Sequence, residues 1–127
     1  MQSKSTVLAA IAIAMTGFLA ADAFAASVRV SCEVRANRSK ISVDGRGLAA
    51  GTYTTQAISG ANSATAGPAA PVGGEVQTDY DSNPADIAAG ATAIAANFIQ
   101  GARVTGKVLD ASGAVLATRT AICRVKQ

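Results

Sequence analysis

A strict alternation of apolar and polar residues is the feature that most restricts what this chain can fold into. Residues 27–35 read SVRVSCEVR, and every second side chain of this stretch is apolar: Val28, Val30, Cys32 and Val34. Residues 39–44, SKISVD, repeat the pattern with Ile41 and Val43. A period of two over several residues is typical of a β-strand with one buried face. The N-terminal part of the domain is therefore predicted to be a pair of half-buried strands.

Further strand-like stretches follow along the chain. Residues 52–59 (TYTTQAIS) and 75–81 (EVQTDYD) predict strands, and the Gly- and Pro-rich stretch 60–74 predicts a loop around one short strand near NSATA. Two strand-like segments, ARVTGKVLD and AVLATRTAICRVK, flank a type I turn at residues 110–113. In the last of them Ala121, Cys123 and Val125 are expected to share the inward face. Arg119 has the same register, so it is expected at a bulge or a sheet margin, because burying an unpaired cation is costly.

Two stretches of the chain resemble strand-turn-strand pieces of known sandwich domains. GLAAGTY and VTGKVLDASGAV are similar to segments of extracellular immunoglobulin-like and transthyretin-like sandwiches, but they cover about 20 residues, contain no functional residue and assign no family. With the strand pattern, they favour an all-β fold: a single small immunoglobulin-like (Greek-key) β-sandwich of about seven strands. One short helical turn is expected near 84–89, capped by Asn83 with Pro84 at its first position.

The N-terminal segment has the composition of a secretory signal peptide. Lys4 precedes an apolar run over residues 7–21, and Ala23-Phe24-Ala25 provides a small-x-small cleavage site. The run is shorter than the roughly 20 residues that cross a bilayer as a helix. We therefore expect a signal peptide at 1–25, cleavage after Ala25, no transmembrane segment afterwards, and a sandwich domain at 26–127 that is periplasmic or secreted.

The chain has two cysteines, Cys32 and Cys123. An even number of cysteines in an exported protein favours a disulfide, and both residues fall on the inward register of their strands. A redox role is disfavoured by the absence of a C-x-x-C spacing. A Cys32–Cys123 bridge is predicted, and it would compensate for a core whose apolar residues are largely alanine.

Composition excludes most catalytic chemistry. The chain has no histidine and no tryptophan, and bridged cysteines would leave no thiolate nucleophile. No phosphate-binding glycine motif is present, and a sugar cleft is hard to build with two tyrosines. We expect no enzymatic activity and no cofactor.

Charge is distributed unevenly along the chain. No Lys or Arg lies between Arg46 and Arg103, whereas Glu75, Asp79, Asp81 and Asp86 all lie in that interval. Basic terminal strands can attract an anionic polymer. The expected partner is an unknown protein or a cell-surface polymer, and nucleic acid is not expected; the oligomeric state stays open.

The stretch DYDSNPAD, residues 79–86, permits two interpretations. Its alternating oxygen-bearing side chains match the start of a calcium-binding loop. They indicate a weak candidate Ca²⁺ site formed by Asp79, Asp81, Asn83 and Asp86. The match fails at position 6, where the loop needs Gly and the chain has Pro84, and at position 12, where it has Gly90 instead of Glu. The favoured interpretation is a strand end followed by an Asn-Pro turn and a helix cap.

These observations predict an exported, non-enzymatic β-sandwich that acts as a binding or structural module of the cell envelope or secretome. One alternative is a calcium-stabilised surface or adhesion module that uses the acidic loop 79–86. The other is a small secreted enzyme inhibitor that presents GRGLAAG or GPAAPVGG as an exposed loop.

Overall fold

The structure is a computed structural model that describes residues 25–127. Apart from Ala25, the predicted signal peptide lies outside the described residues. The structure therefore does not test the predicted cleavage after Ala25. The described part is nearly all-β and contains nine strands and one short helix: β1 (Ser27–Arg35), β2 (Arg38–Arg46), β3 (Tyr53–Ser59), β4 (Asn62–Ala69), β5 (Val76–Asp81), α1 (Pro84–Ala88), β6 (Thr92–Ala93), β7 (Arg103–Leu109), β8 (Val115–Ile122) and β9 (Arg124–Val125). No helix within residues 25–127 has the length and apolarity that a bilayer crossing requires.

The strands form two sheets. The five-stranded sheet has the order β6-β5-β2-β1-β9, and the four-stranded sheet has the order β4-β3-β7-β8. Hairpins join β1 to β2, β3 to β4 and β7 to β8, and each of these pairs is antiparallel. The short strands β6 and β9 pair in parallel with β5 and β1. The alternating residues of β1 and β2 meet in register, so that Val30 lies opposite Val43 and Cys32 opposite Ile41.

The core lies between the sheets and is built from the inward residues of both. Its members are buried: Val28, Val30, Ile41, Val43, Leu48, Tyr53, Ala57, Val76, Tyr80, Phe98, Ile99, Val104, Val108 and Cys123. One polar contact crosses it. The hydroxyl groups of Tyr80 on β5 and Thr55 on β3 are 2.7 Å apart, and both side chains are fully buried. The pair satisfies two hydroxyls that would otherwise be costly inside an apolar core.

Gly106 lets the two sheets approach closely near the middle of the core. A Cβ atom at this position would lie 2.5 Å from Val30 Cγ2 and 3.2 Å from Val43 Cγ2. Real carbon atoms do not approach so closely, so any side chain at position 106 would push β7 away from β1 and β2. The glycine therefore sets the local thickness of the sandwich.

Most of the predicted strands are confirmed, and so is the short helix. The Asn83 side chain accepts a hydrogen bond from the Ala85 N–H at 2.9 Å, and Pro84 is the first helical residue. The strand near NSATA is longer than predicted, because β4 continues through Pro68 to Ala69. Proline is tolerated there since β4 is the edge of its sheet.

The prediction for the last strand was wrong in one respect. The chain leaves the four-stranded sheet after Ile122 and joins the five-stranded sheet at Arg124, so the final segment is two strands in different layers. The inward register therefore ends at Cys123, and Val125 is 58% exposed. Arg119 is exposed on the edge strand β8, which confirms its predicted place at a sheet margin.

Candidate functional site

The acidic residues of the 79–86 loop are organised around Arg38, at the start of β2. Its guanidinium donates to both oxygens of Asp81, from Nε to Oδ1 at 3.0 Å and from Nη2 to Oδ2 at 2.8 Å. Nη2 also donates to Asp86 Oδ2 at 2.9 Å. One arginine thus bridges the end of β5 to the helix α1. A two-pronged contact of this kind is the strong form of a charge-assisted hydrogen bond.

Asp81 is an acidic side chain in a buried position, with 2% of its surface exposed. Burial alone would raise the pKa of this carboxyl, but the hydrogen bonds from Arg38 and from the Asn83 N–H outweigh it. The pKa of Asp81 is therefore lowered, and the residue is an anion at neutral pH. The same pairing raises the pKa of Arg38.

The other two members of the calcium candidate set have partners of their own. Asp79 accepts a hydrogen bond from the Ser42 hydroxyl at 2.5 Å, and Asn83 caps α1. Within residues 25–127, no group of three or more His, Cys, Asp or Glu side chains is arranged to hold a metal ion. The geometry favours the turn-and-cap interpretation, since an ion shared by Asp81 and Asp86 would have to displace Arg38 from both carboxylates.

The predicted disulfide is confirmed, and it stands where the chain changes layers. Cys32 on β1 is bonded to Cys123, which lies between β8 and β9. The Cys123 N–H donates to Ala102 O at 2.8 Å, and the Lys126 N–H donates to Val34 O at 2.8 Å. The bridge therefore ties the first strand of the domain to the segment that closes both sheets.

Strand β8 presents an open edge next to this bridge. It is the last strand of the four-stranded sheet, and β9 pairs with β1 only at Glu33 and Val34. Four of the five exposed large apolar residues of the described chain lie on β8 or β9: Val115 (50%), Leu116 (41%), Ile122 (79%) and Val125 (58%). An unpaired strand edge with exposed apolar side chains is a surface to which another strand can pair.

A cavity of about 540 Å³ lies at the disulfide end of this edge. Ile122 and Arg124 form part of its wall, and Ser31, Lys40 and Ser42 contribute polar groups from the outer face of β1 and β2. The break between β8 and β9 therefore leaves room for a side chain from outside. We call the exposed side of β8, with β9 and this cavity, the β8 edge.

Charge is separated between the two sides of the sandwich. The basic side is formed by β1, β7, β8 and β9, which lie together because β1 packs against both β7 and β8. From β1 to the C-terminal end, this side carries the following basic residues: Arg29, Arg35, Arg103, Lys107, Arg119, Arg124 and Lys126. Its acidic residues are Glu33 and Asp110.

The opposite side of the sandwich is acidic. It is formed by β4, β5, β6, α1 and the connections between them, and it carries Glu75, Asp79, Asp81 and Asp86. No Lys or Arg occurs in residues 47–102. The order of the strands thus converts the uneven charge along the sequence into two faces of opposite sign.

Sequence reasoning missed two parts of this arrangement. Arg38 lies 43 residues from Asp81, and no local pattern connects them. The β8 edge was missed because the segment AVLATRTAICRVK was treated as one continuous strand. Arg119 had indicated a sheet margin in that segment, since inward-pointing charges are common on edge strands, but the point at which the chain leaves the sheet was not recognised.

Comparisons with protein-family models, with curated proteins and with solved structures give no match to this chain.

Proposed function

We propose that this protein is an exported, non-enzymatic β-sandwich that binds another polypeptide along the β8 edge, as a binding or structural module of the cell envelope or secretome. One observation carries the proposal: a strand edge with exposed Val115, Leu116 and Ile122 beside the disulfide. Backbone groups on such an edge supply affinity to an added strand, and the flanking side chains supply selectivity.

The exported location is part of the proposal. It is supported by the disulfide, since such bridges persist in oxidising compartments. Mass spectrometry of the protein recovered from periplasm and medium is expected to give an N-terminus at Ala26. A mass that includes residues 1–25, in protein recovered from the cytoplasm, would contradict the proposed export.

We also propose an immunoglobulin-like Greek-key topology. If the seven long strands are lettered A, B, C, C′, E, F and G in chain order, the neighbours in the two sheets are E-B-A and C′-C-F-G. These are neighbour sets of immunoglobulin-type sandwiches. The disulfide departs from the antibody pattern, since it joins strand A to the end of strand G. An experimental structure with β5 in the other sheet would contradict the assignment.

The binding proposal is tested by capture from an envelope extract with matched variants. Ile122→Asp places a charge on the β8 edge, and Thr65→Asp places the same charge on β4, the opposite edge of the same sheet. Wild type and Thr65→Asp are expected to retain the same polypeptide, and Ile122→Asp is expected to lose it. Retention by Ile122→Asp of a polypeptide other than this chain itself, or the lack of any reproducible partner, would refute the role of the β8 edge.

The inhibitor alternative is favoured by one observation. Val72 is 83% exposed on a turn in which Val72 and Glu75 exchange backbone hydrogen bonds of 2.9 and 3.1 Å. Leu48 of GRGLAAG is buried, and its N–H donates to Gly74 O. This hydrogen bond holds the turn against the body of the domain. Protease-inhibition assays of wild type and Val72→Asp test the alternative, and no inhibition by wild type would dismiss it.

A further inference from the structure

The basic side carries cations that form no ion pair with any other described residue. Five ion pairs occur in residues 25–127, and they use Arg35, Arg38, Arg46 and Lys126. None involves Arg103, Lys107, Arg119 or Arg124, which all lie on the basic side. Arg119 and Lys107 lie on neighbouring strands of the β7–β8 hairpin but have opposite registers, because Arg119 pairs with Gly106 and Lys107 with Thr118. Their charges are therefore directed to solvent or to a partner.

The acidic side carries carboxylates that are weakly paired or not paired with a cation. Asp79 is exposed, accepts its hydrogen bond from a neutral serine, and has no cation within 4.0 Å among the described residues. Glu75 is 37% exposed, and its contact with Arg46 is long, at 3.7 Å. Asp79 is thus available to an external cation, and Glu75 could exchange its long contact with Arg46 for one.

The shapes of the two sides also correspond. On the acidic side, a cavity of about 430 Å³ opens between β4 of one sheet and β5 of the other, and Asp79, Asp81 and Asp86 line it together with Lys40. A second cavity of about 390 Å³ adjoins the start of β5 and is lined by apolar side chains that include Ala69, Val72 and Val76. Beside its own cavity, the β8 edge projects apolar side chains outward, with Leu116 and Ile122 exposed.

From this charge complementarity we propose that the partner at the β8 edge is a second copy of this chain, which docks its acidic side there in a head-to-tail arrangement. This inference rests on the proposed binding role of the β8 edge. The basic side of one copy supplies cations without ion pairs and protruding apolar side chains. The acidic side of the next copy supplies Asp79, the weakly paired Glu75 and the two cavities. An interface between two different faces leaves one of each face free at the ends, so association continues into a ring or a chain.

A two-fold symmetric alternative is disfavoured by the same residues. Antiparallel pairing of β8 with β8 of a second copy would bring the two basic sides together, with Arg119 of each copy close to Arg119 of the other. Like charges near each other across a strand pair are destabilising. Arg119 thus acts against edge-to-edge pairing of identical strands and in favour of an acidic partner.

The test uses the purified exported protein with its disulfide intact. Sedimentation velocity is measured over a range of concentrations at about 0.01 M and about 1 M salt, where the Debye length is ~30 Å and ~3 Å. Wild type is expected to associate at low salt and to dissociate at high salt. Lys107→Gln/Arg119→Gln removes cations from the basic side, and Glu75→Gln/Asp79→Asn removes anions from the acidic side. Each double variant is expected to weaken association about tenfold, since two exposed ion pairs are lost. The charge-preserving Lys107→Arg/Arg119→Lys is the control and is expected to associate like wild type.

Mixing the two neutralised variants separates the possible arrangements. Each variant keeps one intact face, so an equimolar mixture is expected to form one-to-one dimers that do not grow with concentration. Association that is lost in the basic-side variant and not recovered on mixing would overturn the head-to-tail arrangement in favour of a symmetric one. A wild type that stays monomeric in both salts would overturn self-association. In that case, capture of a different polypeptide that Ile122→Asp abolishes would leave the proposed binding role standing.

Discussion

Replacement of Arg38 by methionine is expected to destabilise the domain strongly, although Arg38 lies at the surface end of a hairpin. The substitution keeps most of the aliphatic stem and removes the guanidinium that holds Asp81 and Asp86. Asp81, with 2% of its surface exposed, would then be a buried carboxylate without a cation. Loss of one partner from a buried ion pair costs about 3–5 kcal/mol, because the remaining charge is desolvated and uncompensated.

The surroundings of Asp81 place the expected loss in free energy of unfolding near the lower end of that range. The Asn83 N–H would still donate to Asp81 Oδ1 at 2.9 Å, and the Arg38 side chain is 21% exposed, so water can reach the vacated position. The Asp86 contact adds little, since that side chain is 46% exposed. A loss of about 3 kcal/mol follows, which corresponds to a fall in Tm of about 14 °C for a domain of this size.

Urea denaturation of wild type, Arg38→Met and Arg35→Met provides the assay. Arg35 is a matched control, because it also lies at the β1–β2 turn and forms an ion pair with Glu33 at 2.9 Å, but its side chain is 46% exposed. Arg35→Met is expected to cost less than about 1 kcal/mol. An equally small loss for Arg38→Met would refute the argument that the guanidinium neutralises a buried charge.

The pH dependence provides a second test of the same reasoning. The pKa of Asp81 is lowered in the folded wild type, so its contribution to stability is present above the unfolded value of about 3.9 and is lost as the pH falls below it. Without Arg38, the hydrogen bond that most opposes the effect of burial is lost, so the folded pKa of Asp81 is expected to rise. The variant therefore has its largest deficit at pH 7, and the deficit is expected to shrink as the pH approaches 4. A deficit that does not change between these values would contradict the mechanism.

Three further predictions follow from the fold and the acidic loop. Cys32→Ala/Cys123→Ala is expected to lower the free energy of unfolding by about 4–5 kcal/mol, because the bridge closes a loop with a sequence separation of 91 residues; a loss below about 1 kcal/mol in urea denaturation would show that the bridge is incidental. Gly106→Ala is expected to cost at least about 1–3 kcal/mol, since its Cβ would lie 2.5 Å from Val30 Cγ2. Lys107→Ala on the same strand serves as its control, and similar thermal denaturation of the two variants would argue against close packing. Ca²⁺ is expected to leave the Tm of wild type unchanged, because Arg38 already occupies the carboxylates of Asp81 and Asp86; a rise that chelator reverses and Asp81→Ala abolishes would establish the calcium alternative.

Much of the fold could be predicted from local pattern. Alternation identified β1 and β2 because each has one buried and one exposed face, and the inward register of Cys32 and Cys123 correctly joined the two ends of the domain. The burial of Asp81 could not be predicted from this alternation. Its register places it on the outer face beside Lys40, yet the segment that contains α1 folds over it and buries it. Alternation reports which face a residue occupies, and it does not report what later covers that face.

The candidate site was harder to predict than the fold, because it depends on contacts between distant residues. The acidic interval between Arg46 and Arg103 was visible in the sequence, but its meaning depended on strand order, which places β5 and β8 on opposite sides. The short strand β6 has no alternation to detect, since it consists of Thr92 and Ala93. The change of sheets at Cys123 likewise leaves no local pattern, because it follows from the disulfide and from the backbone contacts of the closing segment.

The hydroxyl pair inside the core has a mechanical consequence. Apolar contacts between the two layers are largely non-directional. The Tyr80–Thr55 contact joins one atom of each layer at 2.7 Å and is directional, so it opposes shear between the layers. Since the chain has no tryptophan, the tyrosines are its aromatic reporters in near-ultraviolet circular dichroism. Tyr80→Phe is therefore expected to weaken the coupling between the two layers while the strands stay intact.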